Sequence, residues 1–534
     1  MTRVLTALCL VLALPVLGVL VSWLALDVQG LESLRHQGRT VLPGYVLNSL
    51  LLAVSVGLGV AVVGGGTAAL ITLFDFPLRR TLEWALLLPL SMPAYVLAYA
   101  TTDALQYSGG LQVALRAATG ATGALWPDVR SLWGAALLFI LCLYPYVYLL
   151  TRAALNERGV QLMEAARMLG AGTTRRVREV ALPLARPALV AGVALALMET
   201  LADYGVGSYF GLQTFTTGIY KAWLVLDDRA AAAQLASLLL VAVALLLGLE
   251  RRARRRARFV TSRSRVGAPG NEARALPLHG GRAGLAVAAC ALPVVLGFAL
   301  PVLVLLRLLA QEAEILDLQV TVERFAHSAW VSFKLAAIAA GLATAVAAAL
   351  AFALRVRPAS PLRWAARLVS LGYAVPGAVT AVGILLPLGW LQAALPGWHA
   401  SALVTGTLFG VLYAYQVRFS AVALQSVEAG YARIPLAIDE TARMLGVSRW
   451  RLLHRLHAPL LRRASLAALL LVFVDVMKEL PATLVLRPFN SDTLAVLAYQ
   501  LARDERLGEA ALPSLAIVLV GLLPVMLLSR AMRR

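Results

Sequence analysis

The chain has 534 residues, of which 60% are hydrophobic, a formal net charge of +20 and a mean hydropathy of +0.79. This composition excludes a soluble enzyme or nucleic-acid-binding domain, because the basic residues are scattered between apolar runs that reach the ~20 residues needed to cross a lipid bilayer. The positive charge is typical of loops that face a cytoplasm and anionic lipid headgroups.

Apolar runs divide the chain into two halves of six spans each. The predicted spans of the first half are 4–26, 46–74, 82–105, 132–151, 187–204 and 230–249. The predicted spans of the second half are 284–309, 326–354, 364–392, 400–417, 464–486 and 512–529. Residues 251–283 are rich in Arg, Ser, Gly and Pro and are predicted to form a basic cytoplasmic linker. We therefore expect an all-α polytopic membrane protein of about 12 transmembrane helices, with a first repeat over 1–250 and a second over 284–534.

A basic loop with the same residue pattern lies between the fourth and fifth spans of each half. The first copy runs from Glu164-Ala165-Ala166-Arg167-Met168-Leu169-Gly170 to Val180-Ala181-Leu182-Pro183, and the second, 276 positions later, from Glu440-Thr441-Ala442-Arg443-Met444-Leu445-Gly446 to Leu456-His457-Ala458-Pro459. Good helix formers precede each glycine, and glycine accepts the left-handed turn that ends a helix. Each proline suits the first turn of the next helix. The pattern predicts a basic helix-turn-helix in each half.

Residues that can cap the second short helix follow each glycine: Thr173 or Thr174 in the first copy and Ser448 in the second. The spacing of the two loops, 164–183 and 440–459, resembles the cytoplasmic EAA loop of membrane subunits in binding-protein-dependent ATP-binding-cassette (ABC) importers. The second loop departs from that pattern at Thr441, where the family has Ala, and at Ala458, where it has Leu. Three further runs resemble the fused ferric-iron permeases: Met198–Gly205, Thr214–Tyr220 and Asp475–Thr483.

The resemblance covers most of the chain and implies a type I ABC importer permease fold of two parallel six-helix repeats. It implies a permease subunit in a bacterial inner membrane, which translocates ferric iron delivered by a periplasmic binding protein. Two copies of a separate ABC ATPase would bind ATP and magnesium and dock on the loops. The docking residues implied by the motif are Glu164, Ala165, Ala166, Gly170, Pro183, Glu440, Thr441, Ala442, Gly446 and Pro459.

The chain itself is not expected to be an enzyme or to bind a cofactor. A phosphate-binding loop needs Gly-Lys-[Ser/Thr], whereas Lys221, Lys334 and Lys478 follow Tyr, Phe and Met. No nucleic-acid partner is expected. The cysteines lie in apolar stretches without metal-ligand spacing, so no metal site is assigned to them.

Ionisable residues at membrane depth form a second group of candidates, because burying them in a bilayer is costly. The span after each loop carries them in its later part: Glu199, Asp203 and Tyr204 in the first half, and Asp475, Lys478 and Glu479 in the second. Their hard oxygen donors suit Fe³⁺, so they are candidates for a pathway or a gate. In the alternative interpretation Lys478 pairs with an acid and fixes helix register. His454 and His457, on the second basic loop, are predicted to be surface residues.

Other functions remain open. A related ABC permease could carry another small solute, such as thiamine or a phosphonate, because substrate choice rests largely with the binding protein. An ion-coupled secondary transporter would also be duplicated, and a membrane-embedded enzyme is a third class. The two basic loops favour the importer, since a carrier has no need of paired docking sites for a motor.

Loop charge predicts the orientation of the chain. When the N-terminus, both basic loops and the C-terminus face the cytoplasm, most of the 48 Lys and Arg residues fall on that side. An engineered cysteine at position 172, in a variant whose Cys9, Cys142 and Cys290 are replaced by alanine, should react with a permeant maleimide and resist an impermeant one. Labelling of this cysteine by the impermeant reagent in intact cells would refute the orientation.

Overall fold

The computed structural model describes residues 2–25, 28–156, 160–261, 276–315, 318–357, 361–395, 397 and 400–532. Helices of the first half are α1 Thr2–Val21, α2 Val28–Arg39, α3 Leu42–Leu73, α4 Arg79–Ala85, α5 Ala94–Leu105, α6 Gly110–Thr119, α7 Leu132–Ala154, α8 Val160–Met168, α9 Thr173–Arg176, α10 Leu182–Ala202, α11 Gly205–Tyr209, α12 Phe215–Tyr220 and α13 Arg229–Thr261. Helices of the second half are α14 Gly281–Val294, α15 Leu300–Ile315, α16 Leu318–Val356, α17 Leu362–Val369, α18 Gly377–Ala394, α19 Ala400–Thr405, α20 Phe409–Tyr431, α21 Leu436–Met444, α22 Arg449–Arg451, α23 Ala458–Lys478, α24 Pro481–Leu486, α25 Leu494–Arg503 and α26 Leu507–Met532.

Short segments of other geometry join these helices. Ser22–Ala25, Leu88–Ser91 and Gly372–Ala374 are 3-10 turns, and Val177–Ala181, Lys221–Val225, Val295–Ala299 and Leu452–His457 are π-helical. Two strands of two residues each, β1 (Phe74–Asp75) and β2 (Leu276–Pro277), pair in parallel. The prediction of an all-α polytopic protein is confirmed. Of the predicted linker 251–283, residues 262–275 lie outside the described part of the chain, and α13 continues into it as far as Thr261.

Nine described helical segments are long and apolar enough to cross a membrane, or ten when the bent pair Arg79–Ser91 and Ala94–Thr119 counts as one broken span. This criterion of length and apolarity accounts for ten of the about 12 predicted spans. The two predicted spans without such a segment are 400–417 and 464–486. Helices of 23 and 21 residues, α20 and α23, occupy these places. Their charged residues, such as Arg418 and Lys478, lower the average hydropathy below that of a simple span.

Prolines break two of the predicted spans. The bent pair turns by 96° at a break that contains Pro93, and Pro93 is extended with ψ 142°. Pro376 is likewise extended with ψ 145° and directly precedes α18, so the predicted span 364–392 is divided into α17 and α18. Proline lacks an N–H and disfavours helical geometry in the preceding residue, which explains both breaks.

The described chain forms two compact units, and each contains segments of both halves. One consists of Met1–Arg39, Gly218–Leu240 and Asp317–Gln500, and the other of Thr40–Thr217, Val241–Leu316 and Leu501–Arg534. In the first unit α16, α20 and α23 pack together, and α1 packs on α17 and α18. In the second unit α3, α7 and α10 pack together, and α15 packs on α26 and α5. The compact units are thus distinct from the predicted repeats.

Helices of the two halves repeat with the same offset in sequence. Corresponding helices begin at Leu42 and Leu318, Val160 and Leu436, and Leu182 and Ala458, each pair 276 positions apart. This is also the offset between the two basic loops. A constant offset across transmembrane and loop helices indicates that the halves share one backbone plan.

Candidate functional site

Both basic loops have a helix-turn-helix backbone. In the first loop, α8 ends at Met168 and Gly170 adopts φ +81°. The Gly170 N–H donates to the carbonyl of Arg167 at 2.9 Å, and the Ala171 N–H donates to the carbonyl of Ala166 at 3.0 Å. This pair of bonds defines a Schellman motif, which satisfies the last carbonyls of a helix and requires a left-handed residue.

The second loop repeats this turn despite its departures from the family pattern. Gly446 adopts φ +71°, and its N–H donates to Arg443 at 3.0 Å, while the Val447 N–H donates to Ala442 at 3.0 Å. The hydroxyl of Thr441 donates to the carbonyl of Ala437 within its own helix at 2.8 Å. Threonine at this position is therefore accommodated without a change in the turn.

Each loop continues without interruption into a long helix. Ser448 caps α22, because its hydroxyl oxygen accepts a hydrogen bond from the N–H of Arg451 at 3.5 Å. The π-helical segments then lead directly into α10 and α23, with Pro183 and Pro459 in the first turn. A displacement of either loop would therefore be transmitted along a continuous helix.

Nearly all the predicted docking residues are exposed. Only Ala166 and Ala442 are half-buried, and the exposed ones are Glu164, Ala165, Gly170, Pro183, Glu440, Thr441, Gly446 and Pro459. Each loop also exposes an apolar pair just before its glycine: Met168 and Leu169 are 90% and 88% exposed, and Met444 and Leu445 are 89% and 77% exposed. Large apolar side chains this exposed among charged residues mark a surface suited to a partner protein.

His457 does not lie on the surface as predicted; it is 0% exposed, whereas His454 is exposed. Residues three apart share a face in an α-helix, but Leu452–His457 is π-helical, so the two rings point in different directions. His457 instead contacts Asp439 at 2.9 Å. Asp439 directly precedes Glu440 but is not part of the repeated loop pattern, because the first copy has Met163 at the corresponding position.

The membrane acids occupy matching positions in the two halves. Glu199 and Asp475, like Asp203 and Glu479, are 276 positions apart. The chain leaves helical geometry at Asp203 (ψ 134°) and at Glu479 (ψ 118°), directly after α10 and α23. The Asp203 carboxylate accepts the N–H of Val206 at 2.8 Å, and the Glu479 carboxylate accepts those of Ala482 and Thr483 at 3.0 Å each. Both acids therefore cap the short helix that follows a break.

Glu479 also belongs to a buried ion pair. Its Oε1 lies 2.7 Å from Nη1 of Arg418, and the two residues are 4% and 9% exposed. Arg418 is not among the predicted pathway residues, because it stands just beyond the predicted span 400–417. The first half has Cys142 at the corresponding position. Of the other predicted pathway residues, Tyr204 is buried, and Glu199, Asp475 and Lys478 are half-buried.

Within the described residues, no group of three or more His, Cys, Asp or Glu side chains is placed to hold a metal ion.

An internally duplicated, all-helical membrane protein with two exposed basic loops has the features of a transport permease. Residues 61–259 match the family described as "Binding-protein-dependent transport system inner membrane component". The chain is 30% identical over 264 residues to PhnV of Salmonella typhimurium, named for 2-aminoethylphosphonate transport; the match covers 48% of this chain and 96% of the relative. The chain belongs to this family, and it is a permease subunit of the ABC importer class.

Two other relatives show the range of the similarity. The Fe(3+)-transport system permease protein FbpB 2 of Haemophilus influenzae is 26% identical over 484 residues, which cover 90% of this chain and 89% of the relative. The sulfate transport system permease protein CysT of Salmonella typhimurium is 30% identical over 191 residues, which cover 34% of this chain and 65% of the relative. The phosphonate relative aligns almost entirely with about half of this chain, which agrees with two permease copies fused in one polypeptide.

The buried ion pair gives a first prediction for the site. Arg418→Leu should lower the free energy of unfolding by about 3–5 kcal/mol, because it leaves the Glu479 carboxylate buried without its cation. Thermal unfolding of the detergent-purified protein would show this as a lower midpoint. Arg462→Leu, at an exposed arginine of α23, is the matched control. The double variant Arg418→Leu/Glu479→Gln should recover part of the loss, and a double variant less stable than Arg418→Leu would contradict the pairing.

Proposed function

We propose that this permease translocates ferric iron delivered by a periplasmic binding protein. The observation that carries the proposal is the alignment with an Fe(3+)-transport permease over nine tenths of both chains. The runs Met198–Gly205, Thr214–Tyr220 and Asp475–Thr483, which resemble iron permeases, surround the two helix breaks. Import of a phosphonate is the second candidate, because the phosphonate relative has the higher identity, although its match covers 48% of the chain.

Two copies of a separate ABC ATPase are proposed to drive transport, one on each basic loop. The exposed pairs Met168–Leu169 and Met444–Leu445 support this, since each offers an apolar contact beside an exposed glutamate. Glu164 and Glu440 would make charge-assisted hydrogen bonds to the ATPase. ATP and magnesium would bind to the ATPase, because the permease sequence has no phosphate-binding loop. The proposed location is a bacterial inner membrane, with the termini and both loops in the cytoplasm.

The membrane acids are proposed to divide into two roles. Glu479 is committed to Arg418 and to backbone N–H groups, which suits it to hold or gate the break after α23. Glu199 and Asp475 precede the breaks by one helical turn and are half-buried. They are the proposed candidates for transient contact with Fe³⁺, for which carboxylate oxygens are suitable ligands. Asp203, Tyr204 and Lys478 complete the proposed pathway and gate.

Substrate and energy source can be tested in one reconstituted system. The permease would be placed in proteoliposomes with the proposed ABC ATPase and periplasmic binding protein, and uptake of radioactive Fe³⁺ would be measured. We expect iron uptake to require ATP, both partners and the permease. Excess 2-aminoethylphosphonate or sulfate should leave iron uptake unchanged. The permease purified without partners should hydrolyse no ATP. Uptake of labelled phosphonate with no uptake of iron would replace the iron proposal with the second candidate.

The left-handed glycines give a prediction for coupling. Nothing lies within 4 Å of a Cβ built on Gly170 or Gly446, so valine there would be strained only by the positive φ. That strain costs about 1–2 kcal/mol, and more for a β-branched residue. Gly446→Val and Gly170→Val should therefore reduce uptake and ATPase stimulation by about 5- to 30-fold while the protein stays inserted.

A glycine two residues away provides the control. Gly172 has equal space around it and no left-handed φ, so Gly172→Val should retain uptake. Membrane insertion of all three variants would be checked by protein quantity in membranes. Normal uptake and stimulation with both Gly170 and Gly446 replaced would show that the loops are not the coupling elements.

A further inference from the structure

A cluster of four polar side chains lies at the base of the second basic loop: the half-buried Arg355 and the buried Tyr431, Asp439 and His457. We call it the Asp439 cluster. Asp439 is 2% exposed and His457 is 0% exposed. Nε of Arg355 donates to one oxygen of Asp439 at 2.7 Å, and Nε2 of His457 lies 2.9 Å from the other. Both carboxylate oxygens thus form hydrogen bonds with side chains from outside α21, the helix that contains Asp439.

The remaining contacts fix the histidine and the chain entering α21. The hydroxyl of Tyr431 lies 3.2 Å from Nδ1 of His457. An imidazole with its proton on Nε2 can donate to Asp439 and accept from Tyr431, so one neutral tautomer satisfies both bonds. The Arg355 guanidinium also donates to the carbonyls of Ile434 and Pro435, at 2.8 and 3.1 Å.

Each member of the cluster comes from a different helix or helix end. Arg355 lies in the last turn of α16, Tyr431 is the last residue of α20, and His457 directly precedes α23. Asp439 lies on α21, the helix that carries Glu440. The cluster therefore joins α21, which we call the second coupling helix, to one end of each of α16, α20 and α23, the three helices that pack together in this unit.

The carboxyl of Asp439 is held in its charged form. Burial opposes ionisation, but the hydrogen bonds from His457 and Arg355 outweigh it and keep the pKa below its ordinary value. A buried carboxylate with charge-assisted bonds is directional, so it fixes the angle of a helix as well as its distance.

The first loop is anchored differently. The positions 276 residues earlier hold Arg79, Leu155, Met163 and Ala181. Leu155 and Ala181 pack with Leu73 and Ala185 in an apolar cluster. Arg79 is retained, but its Nε donates to the carbonyl of Ile71 at 2.7 Å, and it lies 3.8 Å from Asp75. Apolar contacts are non-directional, so they constrain the orientation of a helix less than paired charges do.

We propose that Asp439, held by His457 and Arg355, is a positioning residue that sets the orientation of the second coupling helix, and that the two loops consequently contribute unequally to coupling. The second loop is joined to the start of α23 through Asp439 and His457, whereas positions 163 and 181 of the first loop are methionine and alanine. This inference rests on the proposed function, in which both loops dock ATPase subunits. Binding of the ATPase itself is assigned to the exposed residues and does not depend on the cluster.

The test uses the complete complex of permease, ATPase and binding protein in proteoliposomes. Asp439→Asn and His457→Ala should reduce stimulation of ATPase activity by loaded binding protein by about fivefold or more, with basal activity and co-purified ATPase unchanged. His457→Gln should restore part of the stimulation, because its amide can place an N–H near Nε2 of the histidine. The double variant Asp439→Asn/His457→Ala should be no worse than the poorer single variant, as expected for residues that act as one unit.

Matched arginines separate the two loops. Arg355→Gln should reduce stimulation, and Arg79→Gln, its counterpart in the first half, should leave stimulation close to that of wild type. The inference would be overturned if Asp439→Asn and His457→Ala retained wild-type stimulation of ATPase activity. It would also be overturned if these variants only lost protein stability and transported the same number of ions per ATP as wild type. A wild-type complex in which the permease neither binds nor stimulates the ATPase would instead overturn the proposed function, and this inference with it.

Discussion

Hydrocarbon cannot hydrogen-bond to a peptide group, and this constraint governs the whole chain. Every backbone N–H and C=O at membrane depth must find a partner within the protein, which is why the described residues are almost entirely helical. Where a helix breaks inside such a protein, each N–H group left without a hydrogen-bond partner would cost about 1–3 kcal/mol of stability. At the ends of α10 and α23 the carboxylates of Asp203 and Glu479 accept these bonds. A structural need thus accounts for acids at both breaks before any transport role is considered.

The charge of such a cap must then be compensated, and the two halves do this differently. Glu479 has Arg418, so its break contains a buried ion pair together with the backbone bonds. Asp203 accepts the N–H groups of Val206 and Gly207, and Cys142 stands where the second half has Arg418. Removing one partner of a buried ion pair leaves the other charge unpaired, so Arg418 and Glu479 depend on each other. The break after α23 is accordingly the more rigidly specified of the two.

Local chemistry explains what could be predicted from the sequence. The turn of each basic loop is determined by helix formers, one glycine and one proline within 20 positions, and the left-handed angles of Gly170 and Gly446 follow from them. The breaks at Pro93 and Pro376 are local in the same sense. Pairs such as Arg418–Glu479, 61 residues apart, depend on how helices pack, and no periodicity indicates them. The spacing of His454 and His457 by three residues suggests a shared α-helical face, and a π-helical segment removes that relation.

Fusion of two copies in one polypeptide explains how the loops can share a turn and differ at the base. In a homodimer every substitution appears in both subunits, so a symmetric interface must tolerate it twice. Here position 439 can be aspartate while position 163 is methionine, and position 457 can be histidine while position 181 is alanine. The features common to both loops, an exposed Met-Leu pair and a left-handed glycine, are those that a partner would contact. Asp439 and His457 of the second copy are buried and join the loop to the transmembrane helices. The two loops therefore share the proposed docking features and differ in the buried connection of the second loop.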